Sequence, residues 1–417
     1  MDSPTREPID MTQEPKLTAL GKLVVLLFIA GCFYGAYTIF KRAETPGPVV
    51  PGTTAVASPS RTDGPSTSPV VAGKSVSIGI AYGTEKKVWL EWARERFAES
   101  PQGKLITVDL IPMGSQEGAQ AIVASDKRIN VWAPASAVFK DVFVQNWQAK
   151  NGGDPIIKEE QLALTPMVFV MWDERYSAFV GKYKSLNFKS VGEALKEKSG
   201  WKGIAQKPEW GFFKFGHTNP MESNSGLMAL VLMTHDYQNK TSALRPEDIV
   251  NEDFQTWMTE LERGVSNLDK STGYLMKDMV LKGPSSYDTI FVYEQLAIEQ
   301  LKPAEGRWSN LKIIYPEKNM WSDHPYYILN VPWSTAEQRK AAQIFLDFLM
   351  SEPIQTQAMM QGFRPGNTSV PIKTPESPFT RYEKYGLKID LTMMCEPPKA
   401  DAINNLLAGW QRNRGAK

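Results

Sequence analysis

The sequence predicts an α/β protein of two units carried behind a membrane-spanning helix and an extended linker. Three observations predict it. Short β-branched runs alternate with helical periods from Ser75 onward, residues 23–40 hold no charge, and a stretch rich in Pro, Ser and Thr separates the two regions.

The 417 residues leave room for two domains of ordinary size once the leading segments are subtracted. A hydrophobic fraction of 42% and a charged fraction of 22% are those of a globular protein. The net charge of +1 excludes the dense basic surface that phosphate contacts require, so no nucleic acid is expected as a partner. Of the two cysteines, Cys32 lies inside the apolar run, which argues against a disulfide with Cys395. Three histidines without paired Cys/His spacing predict no metal site, and no motif calls for a cofactor.

Residues 1–22 mix Asp2, Glu7, Asp10 and Glu14 with Arg6, Lys16 and Lys22 without a period, and are expected to form a cytoplasmic tail. Residues 23–42 are the predicted anchor. At about 1.5 Å per residue the uncharged run reaches about 27 Å, close to the roughly 30 Å of a bilayer core. Tyr34 and Tyr37 fall toward the outer interface, and Lys22 and Lys41-Arg42 mark the two ends. A competing reading takes Ile29-Ala30-Gly31-Cys32 as a lipoprotein box with lipidation at Cys32. Cleavage there would leave an apolar start where a polar tether is expected, and the preceding segment lacks the short basic character of a signal peptide. The uncleaved helix is therefore favoured: single-pass in the cytoplasmic membrane, N-terminus inside, the body on the extracytoplasmic side.

Residues 43–73 carry Pro46, Pro48, Pro51, Pro59, Pro65 and Pro69 and cannot bury a core, so they read as a semi-extended tether. The "AGKS" at its end lacks the first glycine of a phosphate-binding loop, which would fall at Ser68.

Residues 74–170 are expected to form a first lobe. "SVSIGIAYGT" with "EKKVWLEWARERFAE", "KLITVDLIPMGSQEG" with "AQAIVAS", and "RINVWAPAS" with "AVFKDVFVQNWQ" are three strand-loop-helix units, which imply a parallel sheet with helical crossovers. "LALTPMVFVMW" then carries the chain into a second lobe, residues 171–322. There "SVGEALKE" opens with Ser190 and Glu193 at capping-box spacing, and "WGFFKFGHTNPMESNSGLMALVLMTHDY" reads as strand, polar loop and helix. Residues 323–417 return to the first lobe and end in helices, the first of them capped by Ser334.

Ligands of open parallel sheets bind outside the carboxyl ends of the strands, where loops lead into helix starts. Four such loops share one character: Gly83-Thr84, Met113 to Gly118, Pro134 to Ser136, and Glu222 to Gly226. Each puts small hydroxyl or amide residues at a helix N-terminus, where the dipole favours negative charge. Each is also an ordinary N-cap, but the agreement of four in location favours a ligand held between two lobes. Glu117 is the awkward residue, since it either points outward or implies positive charge on the ligand.

A catalytic reading fares worse. No nucleophile elbow is present, Ser199-Gly200-Trp201-Lys202 matches S-x-x-K only as a short pattern, and His217 beside the Ser223–Ser225 loop reads as a local hydrogen-bonding residue. No enzyme is expected. Trp132, Trp172, Trp210 and Trp321 are candidates for a binding wall, while Met359-Met360 and Met393-Met394 read as packing.

The segments "IAYGTEKKVWLEWA", "VDLIPMGSQEGAQAI", "INVWAPASAVFKDVFVQNW", "LTPMVFVMW", "KPEWGFFKFGHTNPMESNSGLMALVL" and "GFRPGN" together resemble the bacterial extracellular solute-binding proteins of the molybdate-binding-like branch. The resemblance implies a two-lobed periplasmic binding protein fold of type II. Two crossing strands would join the lobes, and ligand would be enclosed by hinge closure. It implies a small polar, anionic ligand at Thr84, Ser115, Gln116 and Ser136 of the first lobe and Ser223, Asn224, Ser225 and Tyr287 of the second. The implied partners are an ABC-type permease or a protein with a von Willebrand type A domain. Glu117 and the anchor depart from the better-understood anion binders. A scaffold or assembly factor of the cell envelope that has lost the ligand is the alternative.

Overall fold

The computed structural model describes residues 75–391 and 393–415. The expected tail, anchor and tether, and Cys32, lie outside the described residues. Among the described residues no helix is long and apolar enough to cross a membrane.

These residues contain twelve strands: β1 (Val76–Tyr82), β2 (Ile106–Pro112), β3 (Val131–Ala133), β4 (Ile156–Gln161), β5 (Ala163–Trp172), β6 (Phe215–Thr218), β7 (Val265–Asp269), β8 (Thr289–Tyr293), β9 (Leu311–Ile314), β10 (Trp321–Ser322), β11 (Pro325–Leu329) and β12 (Arg364–Pro365). The first sheet runs in the order β2-β1-β3-β11-β4. Within it β1 lies between β2 and β3 and is parallel to both, as the strand-loop-helix units predict. Alternate residues of β1 serve opposite faces. Ile78, Ile80 and Tyr82 pack with Trp89, Leu90 and Phe97 of the helix Lys87–Glu99 and with Phe345 of Ala336–Leu349, whereas Ala81 packs with Ile122 and Phe143 beneath the helices Ser115–Val123 and Lys140–Asn151. β11 closes the sheet antiparallel to β3 and β4.

The second sheet follows the path β10-β5-β8-β6-β7, with β9 and β12 also paired to β5. Nine of the ten residues of β5 are buried, which explains an apolar run interrupted by Thr165 alone. The strand starts against β12 and β10 and ends against β8 and β9, so residues 163–170, counted above with the first lobe, hydrogen-bond within the second sheet. The chain returns through Asp323-His324 between β10 and β11. The helix Asn224–Tyr237 is buried along its length from Asn224 to His235 and forms the axis of the second lobe.

The C-terminal region divides. The helices Ala336–Leu349 and Glu352–Met360 return to the first lobe, but the later residues lie on the second. Glu396 N donates to Thr241 O at 2.8 Å, and Trp410 Nε1 donates to Glu262 at 2.7 Å. The helix Ala400–Gly415 carries Ala402, Ile403, Leu406 and Trp410 on one stripe, an amphipathic face that seeks an apolar partner. Two caps also differ from expectation. Asn187 caps the helix Phe188–Lys196 by accepting from Ser190 N at 2.9 Å, which places Ser190 at the third helical position. Thr335, not Ser334, caps Ala336–Leu349 in a reciprocal box with Gln338.

Candidate ligand cleft

The carboxyl ends of β1, β2 and β3 in the first lobe and of β6, β7 and β8 in the second meet across a cleft. β1 is followed by Gly83, whose N–H reaches Ala133 O at 3.1 Å, and the chain turns through the short 3-10 segment Thr84–Lys86. Ser115, first residue of its helix, accepts from Ala135 N at 3.0 Å and ties the loop after β2 to the loop after β3. Ser136 caps the next turn through Val138 N and donates across the cleft to Asn224 Oδ1 at 2.9 Å. Asn224 in turn donates to the Tyr293 hydroxyl at 2.8 Å. Gly226 lets the helix head press onto β6, because any Cβ there would clash with Thr218 O. That approach places Ser225 Oγ 2.6 Å from Thr218 Oγ1 and 2.5 Å from Thr272 Oγ1, in a layer of shared hydroxyl hydrogen bonds.

Thr84, Ser115, Ser223 and Asn224 line one cavity of about 40 Å³ between the lobes. Ser136 and Ser225 stand one layer behind it, buried. Gln116 and Tyr287 are not brought to it. Gln116 borders a separate cavity of about 440 Å³ between the helices Ser115–Val123 and Lys140–Asn151. Tyr287 precedes β8 and is buried against Gly216, at the amino end of a parallel strand and so far from the binding edge. The tyrosine at the carboxyl end of β8 is Tyr293. It stands immediately before the helix Glu294–Ala304, but it lacks the small polar character and the turn that marked the other loops in the sequence. The loop after β7 supplies Lys270, Ser271 and Thr272 to the lining, and Glu85 joins Thr84. Trp132, Trp172, Trp210 and Trp321 do not line the cavity: Trp132 stacks on Tyr327 at 5.2 Å, Trp172 is buried, Trp210 covers Arg175 at 3.9 Å, and Trp321 lies 5.2 Å from the Arg364 guanidinium.

Charge at the cleft is paired. The Lys86 ammonium is fully buried and reaches Glu85 Oε1 at 2.5 Å, Pro134 O at 3.0 Å and His324 Nδ1 at 3.3 Å. Burial works to raise the Glu85 pKa, but the Lys86 charge and the His324 hydrogen bond outweigh it and bring it down to about 2. Burial and the Lys86 charge push His324 down to about 4, so its ring is neutral near pH 7. Glu222 is paired with Lys270 at 2.7 Å. Glu117 turns back onto its own helix start and accepts from Gly114 N at 3.1 Å, which answers the concern about its charge. At the heads of the helices Asn224–Tyr237 and Thr272–Lys282 the N-cap residues Ser223 and Ser271 make no side-chain cap hydrogen bond, and the third head begins after side-chain-less Gly114. Three positive helix ends therefore converge on one cavity.

His217 does not serve a serine. Its Nδ1 meets Thr218 O at 2.8 Å and its Nε2 meets Glu262 Oε1 at 2.7 Å, with the ring fully buried. Among the described residues no group of His, Cys, Asp and Glu has the arrangement of a metal site.

The architecture recurs among solved structures. The sulfate-binding protein SubI from Mycobacterium tuberculosis H37Rv superposes with a TM-score of 0.51 at 14% identity, covering 82% of this chain and 99% of that one. Iron-bound HitA from Pseudomonas aeruginosa gives 0.53 at 14% identity, covering 81% and 99%. A periplasmic thiamin binding protein gives 0.54 at 14% identity, covering 82% and 97%. At such identities the likeness establishes the two-lobed fold. Comparison with curated proteins returns no match. Residues 78–364, which run from β1 through both lobes to β12, match the family described as bacterial extracellular solute-binding protein, and the chain belongs to that family.

Proposed function

We propose that the chain captures a small polar anion between its lobes and presents it to a transporter partner, held on the outer face of the cytoplasmic membrane by residues 23–40. The observation that carries this reading is the convergence of three helix heads, two behind serines that make no side-chain cap, on a single cavity lined by hydroxyl groups from both lobes. The role is that of a receptor and not a catalyst. Ser225 Oγ is shared among Thr218, Ser223 and Thr272, and His217 is committed to Glu262.

Calorimetric titration of the full-length chain in detergent with oxyanions, amino acids and sugars tests the proposal. Saturable binding of an anion is expected, abolished by Ser223→Trp, which fills the cavity. Anion binding indifferent to that substitution overturns the assignment of the site. Absence of binding by every solute, with a stoichiometric protein co-purifying from membranes, moves the function to a scaffold.

A further inference from the structure

We infer that the captured anion carries a hydrogen-bond donor of its own, an acid hydroxyl or an ammonium group, and that Glu85 accepts it. The inference rests on the reading of the cleft as an anion site and narrows the ligand class.

Glu85 is the middle residue of the turn Thr84–Lys86 and part of the cavity wall. Both its carboxylate oxygens lie over the α-carbon of Gly83, another wall residue, in space that any Cβ would occupy. The side chain is only 8% exposed. Its oxygens are not used alike. Oε1 takes the Lys86 ammonium at 2.5 Å and stands 3.5 Å from His324 Nδ1. Lys86 and His324 are its side-chain partners, and among the described residues none donates to Oε2.

An ionised carboxylate oxygen can only accept a hydrogen bond, so a ligand that covers Oε2 without offering a donor strips its solvent and leaves it unmet, at a large part of its desolvation cost. Its neighbour acid, Glu222, has Lys270, so Glu85 Oε2 is the wall's acceptor in need of a donor. The hydroxyls and helix heads around it supply donors for the acidic part of a ligand. A fully deprotonated oxyanion satisfies those donors but meets Oε2 with a lone pair, which repels. A ligand with both an anionic edge and a donor satisfies every group.

Inorganic phosphate, glycine and sulfate separate the cases when titrated calorimetrically into the full-length chain near neutral pH. Phosphate retains an acid hydroxyl, glycine brings an ammonium, and sulfate brings neither. Phosphate or glycine is expected to bind on the order of a hundredfold or more tighter than sulfate, and the better of the two identifies the donor. Sulfate binding as tightly as both overturns the inference and leaves the anion reading standing, as does preference for another anion without a donor over all three; binding of no anion overturns the inference together with that reading. Glu85→Gln replaces the acceptor by an amide that also donates, and is expected to narrow the ratio toward unity. Because that variant leaves Lys86 buried without its partner, the double variant Glu85→Gln/Lys86→Met is measured beside it. A folded variant that keeps the full preference overturns the role of Glu85. If neither folds, the wild-type ratio decides.

Discussion

Ser136, at the end of the first lobe's β3, donates a 2.9 Å hydrogen bond to the side-chain oxygen of Asn224, the head of the second lobe's central helix. Both residues are buried, so the bond joins the lobes where solvent does not compete. Ser136→Ala is expected to remove about 1 kcal/mol from the closed arrangement, which corresponds to roughly fivefold faster ligand release. Stopped-flow displacement reads that rate, and an unchanged rate would show that the bond does not hold the cleft shut.

Gly114 meets the other lobe by its backbone. A Cβ there would stand 2.9 Å from Glu222 O, although φ −62° and ψ 152° suit alanine. Gly114→Ala should therefore fold normally but resist closure, at a cost of about 1–2 kcal/mol, or about tenfold in affinity. Small-angle scattering should show a larger radius of gyration than wild type at equal ligand concentration.

Lys86 is buried only because Glu85, Pro134 O and His324 surround its ammonium. Lys86→Met removes one partner of a buried pair and is expected to cost about 3–5 kcal/mol in unfolding free energy. Combining it with Glu85→Gln should restore much of the loss, and denaturant melts of the single and double variants measure the coupling.

Acid should destabilise the fold through the same cluster. His324 titrates at about 4 in the fold against an ordinary 6.5, so the unfolded chain binds more protons between these values and stability falls as pH drops through that window. Glu85, at about 2 against an ordinary 4.5, stabilises above 4.5 and loses that contribution as pH falls toward 2. His324→Asn keeps a residue that tolerates the φ of +39° and removes the first limb, worth on the order of 2 kcal/mol. Melting temperature against pH should then fall less steeply between 6.5 and about 4 than in wild type, with His235, whose pKa burial also lowers, supplying the decline that remains; an unchanged slope in the variant would assign that limb to another group.

Trp410 seals a buried pair within the second lobe. Its Nε1 donates to Glu262 Oε2 at 2.7 Å while Oε1 faces His217. Burial works to lower the His217 pKa, and the Glu262 charge outweighs it and raises the value. Trp410→Phe keeps most of the packing but leaves one carboxylate oxygen without its donor, a loss of about 1.5–3 kcal/mol. Differential scanning calorimetry should show a lower melting temperature with ligand affinity retained.

Much of the cleft was legible because strand ends and helix heads have local signatures. Thr84, Ser115, Ser223 and Asn224 were found by asking which small polar residues follow a β-branched run. Tyr293 escaped because "SSYDTIFVYEQLAIEQ" shows no turn residue between strand and helix. Lys86 and Glu85 escaped for another reason. Within a helix-like "EKK" their charges read as a solvated face, and only His324, Pro134 and Gln295, which donates to Glu85 O at 2.9 Å, bury them.

The alternation of period-2 and period-3.6 segments, the order of strand, loop and helix, and the family were determined by the sequence alone, because each depends on spacing within a few residues. Which loops meet was decided only by the tertiary structure. Ser136 and Asn224 are 88 residues apart, and Lys86 and His324 are 238 apart. Their contact depends on the order of strands in two sheets and on the crossings of the chain between lobes, which are set by burial of whole faces against one another and leave no mark in the local pattern of either segment.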